Sequence, residues 1–314
     1  MRSYHLVAPG KINLYLEIIG IRQDNYHELV MIMQSIDLAD HLEIRSNGTE
    51  EIRVYCDNPE VPLTRDNLAY QAVRLIQGEF PKIAANYGGV DIIIDKRIPV
   101  AAGLAGGSGN AAAVLVGLNL MWELGLTQPE LQILGAKLGS DVPFSLTGGT
   151  AIATGRGEQL DPIPDLTNLA VVLAKYRHLC VSTPWAYGTY RQEYGHTYPN
   201  DLNNFLTTSQ RIHSGPLVQA IVGQDGAKIG QLLHNDLEKA VFPEYPEVEQ
   251  LKRTMSSLGG LGTMMSGSGP TVFTLCNNLT EAEILQEKLL VRMDDPDLAA
   301  WTAQLSASGI HLVT

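Results

Sequence analysis

An α+β protein of two lobes is the fold class this sequence predicts. Three observations lead there. At 314 residues the chain is long for one compact domain and comfortable for two. Strand patterns dominate its first third, and helices alternate with strands afterwards. A polar stretch with two prolines, 161–168, reads as a junction, giving lobes of 1–160 and 161–314. Hydrophobic residues make up 45% and charged residues 18%, so each lobe can bury a core.

The first element is a strand. KINLYLEI (11–18) alternates, with Ile12, Leu14, Leu16 and Ile18 on one face and Lys11, Asn13, Tyr15 and Glu17 on the other. Pro9-Gly10 before it predicts a bend or bulge. IRQDNYHE (21–28) is a polar turn. Leu29 to Leu38 and His41 to Arg45 are read as two further strands separated at Asp37 to Asp40, and Glu51 to Cys56 as a short one. Asn67 to Gln77 has helical spacing, and the β-branched run Val90 to Ile94 is a strand.

A glycine-rich loop follows. Behind it, Ala111 to Leu124 is apolar on nearly every side, which predicts a buried helix stopped by Gly125. Thr127 and Glu130 form a capping box for the next helix, which ends at Gly139. Ser140-Asp141-Val142-Pro143 opens a new segment, and turns flank a strand in 148–158. Leu169 to Ala174 is a buried strand. Tyr176 to Asn204, rich in Tyr, Thr and Pro, reads as irregular. Helices at about 215–222, 226–233 and 244–258 lead to a strand pair around a second glycine loop (259–275). A helix at Glu281 to Met293 and a terminal strand close the chain.

Composition excludes several classes of function. The net charge is -12, so neither nucleic acid nor an anionic membrane is an expected partner. Cys56, Cys180 and Cys276 are far apart, and neither they nor the eight histidines have a zinc-binding spacing. No apolar run approaches the roughly 20 residues that span a bilayer. The opening MRSYHLVAPGK enters a strand pattern without a presequence, so a cytoplasmic location is expected, or else a mature form whose targeting segment has been removed.

The strongest chemical signal is GLAGGSGNAAAVL (103–115). Glycines let backbone approach a ligand closely, and free amides at a helix start bind anions. No GxxxxGK[ST] occurs, so this is not a P-loop. Gly107 to Ala112 matches GxGxxA, but Pro99 to Ala102 separates it from the preceding strand and no second strand follows. A dinucleotide site is therefore excluded. MSGSGPTVF (265–273) is a second amide-rich loop, placed to close over a phosphate from the other lobe. Lys11 and Asp141 supply the cation and carboxylate that phosphoryl transfer to an alcohol requires, though each alone has a bland reading, as an edge lysine and a helix cap.

Together these pieces resemble the GHMP-superfamily kinases: a PGKINL strand, the loop from Pro99, LGSDVPF (138–144) and a late SGSG loop, in this order. The resemblance implies a two-lobed α+β GHMP kinase fold with the active site in the cleft between lobes, and ATP and Mg²⁺ as co-reactants. APGKINLYLEIIGIRQDNYHEL (8–29), DNLAYQA (66–72) and NDLE (235–238) narrow it to a branch of the superfamily. The acceptor in that branch is a cytidine diphosphate-linked methylerythritol, phosphorylated at its 2-hydroxyl in non-mevalonate isoprenoid biosynthesis. Other acceptors of the superfamily, homoserine, mevalonate or a sugar, are the alternative, and YHEL speaks against them. A catalytically inactive nucleotide sensor is a second alternative, and the presence of both Lys11 and Asp141 speaks against it.

The resemblance also assigns residues. Lys11 and Asp141 match the catalytic pair. Pro99, Val100, Ala101, Ala102, Gly103, Leu104, Ala105, Gly106, Gly107, Ser108, Gly109 and Asn110 would wrap the ATP phosphates, with Asn67 and Lys96 near the adenosine. Tyr26 and His27 would recognise cytosine, and Asn13 the polyol or its phosphate. Tyr187 would stack on the base, with Trp185 and Tyr190 as alternatives. Gly267, Ser268 and Gly269 would close over phosphates. Two positions depart from the usual loop: Ala105 replaces a glycine and Gly109 a second serine, which leaves Ser108 as the hydroxyl for Mg²⁺. A monomer or weak homodimer is expected.

Overall fold

The computed structural model describes residues 2–198 and 212–313. Its backbone is a long pair of antiparallel strands, β1 (Ser3–Ile21) and β2 (His27–Ser46). Both are longer than expected. The separation foreseen at Asp37 to Asp40 is a bulge instead: Pro9 pairs with Ala39 and Gly10 with Ile36, so Asp37 and Leu38 are the extra residues and β2 runs on unbroken. A second register shift, between Asn13 and Tyr15, corrects the strict alternation. It puts Leu16 beside Lys11 and Asn13 on the wall of a cleft, while Ile12 and Leu14 stay in the core behind.

β3 (Ile52–Cys56) lies parallel to β4 (Val90–Asp95), which pairs with the end of β2. Between them lie α1 (Leu68–Glu79) and α2 (Pro81–Tyr87); the second was not expected. α3 spans Gly106–Met121 and packs on β1, which buries ten of its residues. It begins at Gly106, earlier than the sequence pattern suggested, and ends before Leu124. α4 (Gln128–Ala136) has the expected capping box, and α5 (Val142–Thr147) follows. β5 (Thr150–Gly155) pairs with β2, and β6 (Gln159–Ile163) with β5.

The later half is built on β7 (Ala170–Tyr176), buried along its whole length. Residues 183–194, expected to be irregular, form α6 (Thr183–Tyr194), capped by Ser182 with Pro184 in its first turn. The rest of that expectation, 199–204, lies outside the described residues. Short helices α7 (Pro216–Val222), α8 (Gly226–Gln231) and α9 (Glu238–Glu244) and the longer α10 (Pro246–Ser257) follow, with β8 (His234–Asn235) between α8 and α9. β9 (Gly262–Met265) and β10 (Val272–Cys276) form the expected strand pair, and α11 (Leu279–Met293), β11 (Leu298–Ser306) and β12 (His311–Leu312) complete the chain. The main path through the sheet is β12-β1-β2-β11-β7-β10-β9. One core fills the space between α1, α3 and the early strands, with Leu6, Ile44, Ile92 and Leu115 fully buried. Two others cover the faces of the later strands, one holding Val172, Val241 and Leu251 and the other Leu173, Ile221 and Phe273. All three cysteines are unpaired, and no helix among the described residues is long and apolar enough to cross a membrane.

Candidate active site

A cleft of about 890 Å³ opens where β1, α3, α6 and the β9–β10 loop meet. Lys11 and Asp141 stand in it. The Lys11 side chain is 7% exposed, and its Nζ lies 2.8 Å from Asn13 Oδ1 and 3.6 Å from Asp141 Oδ2. Asp141 occupies the N-cap position of α5, yet its carboxylate makes no capping hydrogen bond. The bland reading of an aspartate there therefore fails, and the carboxylate faces the ammonium and the open cleft. Lys11 is no edge lysine either. The β-bulge at Pro9/Gly10 and the packing of β1 against α3 bury it.

The loop 99–105 leads into α3. Ala101, Gly103 and Ala105 have positive φ (49°, 74° and 57°), while Ala102 and Leu104 do not. Such alternation turns successive amides toward one side, as in an anion nest. The first bond of α3 runs from the Gly109 N–H to the Ala105 carbonyl at 2.8 Å, so the amides of Gly106, Gly107 and Ser108 precede it. The dipole of a 16-residue helix points at the same place. Gly103 is required where it stands: a Cβ there would meet the Ser266 carbonyl oxygen at 2.3 Å.

Four parts of the molecule clasp this loop. The Lys11 N–H donates to the Leu104 carbonyl at 3.1 Å. The Ser266 hydroxyl donates to the Gly103 carbonyl at 3.1 Å, which joins the two glycine loops. Lys175 Nζ, on β7, reaches the Val100 carbonyl at 3.4 Å, and burial pulls this lysine's pKa below its ordinary value. Asp40, 0% exposed, accepts from the amides of Arg97 and Ile98 at 2.8 Å each, from Lys96 Nζ at 2.5 Å and from Asn110 Nδ2 at 2.8 Å.

The second loop is held by Asn235, whose Nδ2 donates to the carbonyls of Met265 and Gly267 at 2.8 Å each. Gly267 leaves room beside the lysine: a Cβ there would sit 3.3 Å from Asn13 Oδ1 and 3.6 Å from Lys11 Nζ. The Ser268 hydroxyl bonds that of Thr183 at 2.8 Å. Neighbouring Asp236 accepts from the Ile18 N–H at 2.9 Å. Burial opposes its charge, but bonds from His234, Lys239 and that amide hold its pKa at about 2.

At the other end of the cleft His27 and Tyr187 face each other, ring centroids 5.1 Å apart. His27 Nε2 is buried and has no hydrogen-bond partner among the described residues. Burial, and then the nearby Arg191 charge, push the His27 pKa down to about 4, so the ring is neutral near pH 7. A neutral imidazole with an unused nitrogen, beside an aromatic face, can read the edge of a flat heterocycle. Tyr26 stands across from it, 55% exposed.

Two family models match the chain: GHMP kinases N terminal domain over 67–149, and GHMP kinases C terminal over 217–293. A relative from Gloeothece citriformis is 64% identical over 99% of each chain, and one from Trichodesmium erythraeum 59% over 99% of each. Both are named 4-diphosphocytidyl-2-C-methyl-D-erythritol kinase. The chain belongs to this family of GHMP kinases. A crystal structure of 4-(cytidine 5'-diphospho)-2C-methyl-D-erythritol kinase superposes with a TM-score of 0.74 at 32% identity, covering 96% of this chain and 99% of that one. A homoserine kinase from Cytophaga hutchinsonii superposes at 0.73 with 18% identity over 100% and 98%, which shows the shared fold alone.

In this GHMP kinase nearly every residue picked out from the sequence lines the one cleft. Two do not. Gly109 packs against β1, its Cα hydrogen aimed at Pro9 and Ala8, and Gly269 sits against Met265. Asn67 lines the cleft, but its side chain caps α1 through the Ala69 N–H and donates to the Pro62 carbonyl. The choice among aromatics is narrowed by packing. Tyr187 lines the cleft, Trp185 packs edge-on to Tyr245, and Tyr190 is buried against Tyr194 and Tyr198. Sequence reasoning missed Asp40, Asn235, Lys175, Arg156 and Arg191. NDLE pointed at Asn235 without giving it a task; the other four carry no local signal.

Proposed function

We propose that this kinase moves the γ-phosphoryl of ATP to the 2-hydroxyl of 4-diphosphocytidyl-2-C-methyl-D-erythritol, with Asp141 and Lys11 as its catalytic pair. The observation that carries the assignment is the uncapped Asp141 carboxylate 3.6 Å from a buried lysine, between two amide-rich loops. Asp141 accepts the hydroxyl proton as the oxygen attacks the γ-phosphorus and the bond to the bridging oxygen breaks, releasing ADP. Lys11 lies beside that carboxylate, is itself oriented by Asn13, and offsets charge on the transferring group. The amides at the start of α3 hold the nucleotide phosphates, with Asn67 and Lys96 toward the adenosine. Gly267 and Ser268 close from the opposite side. Little covalent chemistry falls to the protein; positioning and charge do the work.

The Ser108 hydroxyl lies in the first turn of α3, lines the cleft and has no hydrogen-bond partner among the described residues. Among them no group of three or more His, Cys, Asp or Glu is placed to hold a metal ion. A Mg²⁺ that arrives with the nucleotide and takes one protein hydroxyl suits this donor set. When bound it neutralises phosphate charge. The cytosine stacks between Tyr26 and Tyr187 with His27 at its edge. We read the lobes as 1–160 and 161–314, although β6 crosses that junction and stays with the earlier sheet. We also propose a cytoplasmic monomer or weak homodimer.

The test is ATP-dependent phosphorylation of the cytidylyl acceptor beside homoserine and mevalonate. Asp141→Ala should cut kcat by about 10²–10⁴-fold. Unchanged turnover in that variant would overturn the base assignment, and turnover of mevalonate or homoserine in place of the cytidylyl substrate would overturn the acceptor.

A further inference from the structure

The two aromatic walls at the acceptor end are held in different ways. Tyr187 and His27 lean on each other, and Tyr198 packs edge-on to His27 at 6.1 Å. Among the described residues no aromatic ring supports Tyr26 in this way. Its backbone is fixed, since its N–H donates to Asp24 Oδ1 at 3.1 Å and its carbonyl accepts from the Arg22 N–H at 2.8 Å. The residue is 55% exposed. The contact on its ring is the Arg156 guanidinium, 4.9 Å from the centroid.

Arg156 is placed for this by the sheet. Gly155 ends β5 opposite Leu29, so the next residue emerges beside the turn that carries Tyr26. Its guanidinium is not spent on a close ion pair: Glu158 is 3.9 Å away and the Ala136 carbonyl 3.4 Å. A guanidinium is planar and weakly hydrated, and it lies well on an aromatic face.

We propose that Arg156 is a specificity-determining positioning residue: it fixes the exposed Tyr26 ring, so that Arg156, Tyr26 and the substrate's pyrimidine base form successive layers of one stack. This rests on the proposed cytosine pocket. A tyrosine ring that must be immobilised on binding costs affinity, and a ring already held does not. The arginine also adds its attraction to the ring. Losing both should raise the acceptor KM by roughly 3- to 10-fold. The KM for ATP, bound at the other end, and kcat should move less than about 2-fold.

The experiment is a double-mutant cycle on the full chain, with Arg156→Ala, Tyr26→Ala and the pair, read as acceptor KM, ATP KM and kcat. Arg156→Gln, planar and uncharged, stands in if the alanine variant folds poorly. The expected result is an acceptor KM in the double variant no worse than in Tyr26→Ala alone. If the two effects multiply, Arg156 acts independently of Tyr26, for instance on the substrate's diphosphate, and the inference falls while the pocket stands. If Tyr26→Ala leaves the acceptor KM unchanged, the base pocket itself is wrong and the inference falls with it.

Discussion

Replacing Asp40 by Asn is the most searching perturbation of this fold. One carboxylate oxygen, Oδ1, accepts from the Arg97 and Ile98 amides, and the amide oxygen of asparagine can still do so. The other, Oδ2, accepts from Lys96 Nζ and Asn110 Nδ2. Asparagine presents an NH₂ there, so three donors converge with no acceptor. The Lys96 side chain is 4% exposed and Asp40 0%, so a buried ammonium loses its counter-charge. Removing one partner of such a pair costs about 3–5 kcal/mol, and the unmet Asn110 amide adds about 1 kcal/mol. For a chain of this size the transition should fall by on the order of 10 °C. Calorimetry of Asp40→Asn, alone and combined with Lys96→Met, reads this directly. The double variant should recover at least half of the loss, because the uncompensated charge is gone. A single variant melting within about 2 °C of the parent, or a double variant no better than the single, would refute the reasoning.

The remaining predictions are shorter. His27 titrates near 6.5 in the unfolded chain and about 4 in the folded one, so its contribution is intact above pH 6.5 and is lost as pH falls toward 4. At most roughly 3 kcal/mol is involved, and His27→Gln should flatten the denaturation free energy between those values. Tyr187→Ala should raise the acceptor KM by roughly 5- to 150-fold, from the loss of base stacking, with the ATP KM unchanged in steady-state assays. Ser108→Ala should raise the Mg²⁺ concentration needed for half-maximal rate by several-fold in a metal titration, and an unchanged requirement would remove Ser108 from the metal site.

Much of the glycine-loop end of the cleft, proposed to take the nucleotide, was legible in the sequence because it is local. Gly103, the helix behind it and the Lys11 strand announce themselves by spacing. What stayed hidden is long-range. Asp40 lies 56 residues before Lys96 and 70 before Asn110, and only the bulge opposite Pro9 and Gly10 turns it inward. Its neighbourhood read as a strand break because a bulge and a break share the same polar residues. The start of α3 was misplaced because Gly106, Gly107 and Gly109 are poor helix formers. At Gly106 the approach of Lys96 and Ile98 leaves little room for a side chain, whereas a Cβ at Gly107 or Gly109 would make only ordinary contacts. α6 was overlooked although Ser182 and Pro184 mark its start, because its weak amphipathic pattern hides it.

The acidic chain and its polyanionic substrates pose a problem that the cleft resolves at short range. At physiological salt a charge is screened beyond about 8 Å, so the net -12 matters less inside the cleft than its own lining. Four cations, Lys11, Lys96, Arg156 and Arg191, line it against two carboxylates, Asp66 and Asp141. They are not equally available. Lys96 is paired with Asp40 and Lys11 faces Asp141, whereas the Arg156 guanidinium is more loosely matched, with Glu158 at 3.9 Å and Asp24 also near, and Arg191 has no ion pair among the described residues. Among the described residues the more loosely paired cations therefore lie at the end of the cleft with Tyr26 and Arg191, the proposed acceptor end, while the glycine-loop end offers amides and the α3 dipole. On the proposed reading, backbone shape specifies one substrate and side chains the other. Glycine spacing could reveal the first directly, while the second takes form only when β5, α6 and the turn after β1 come together.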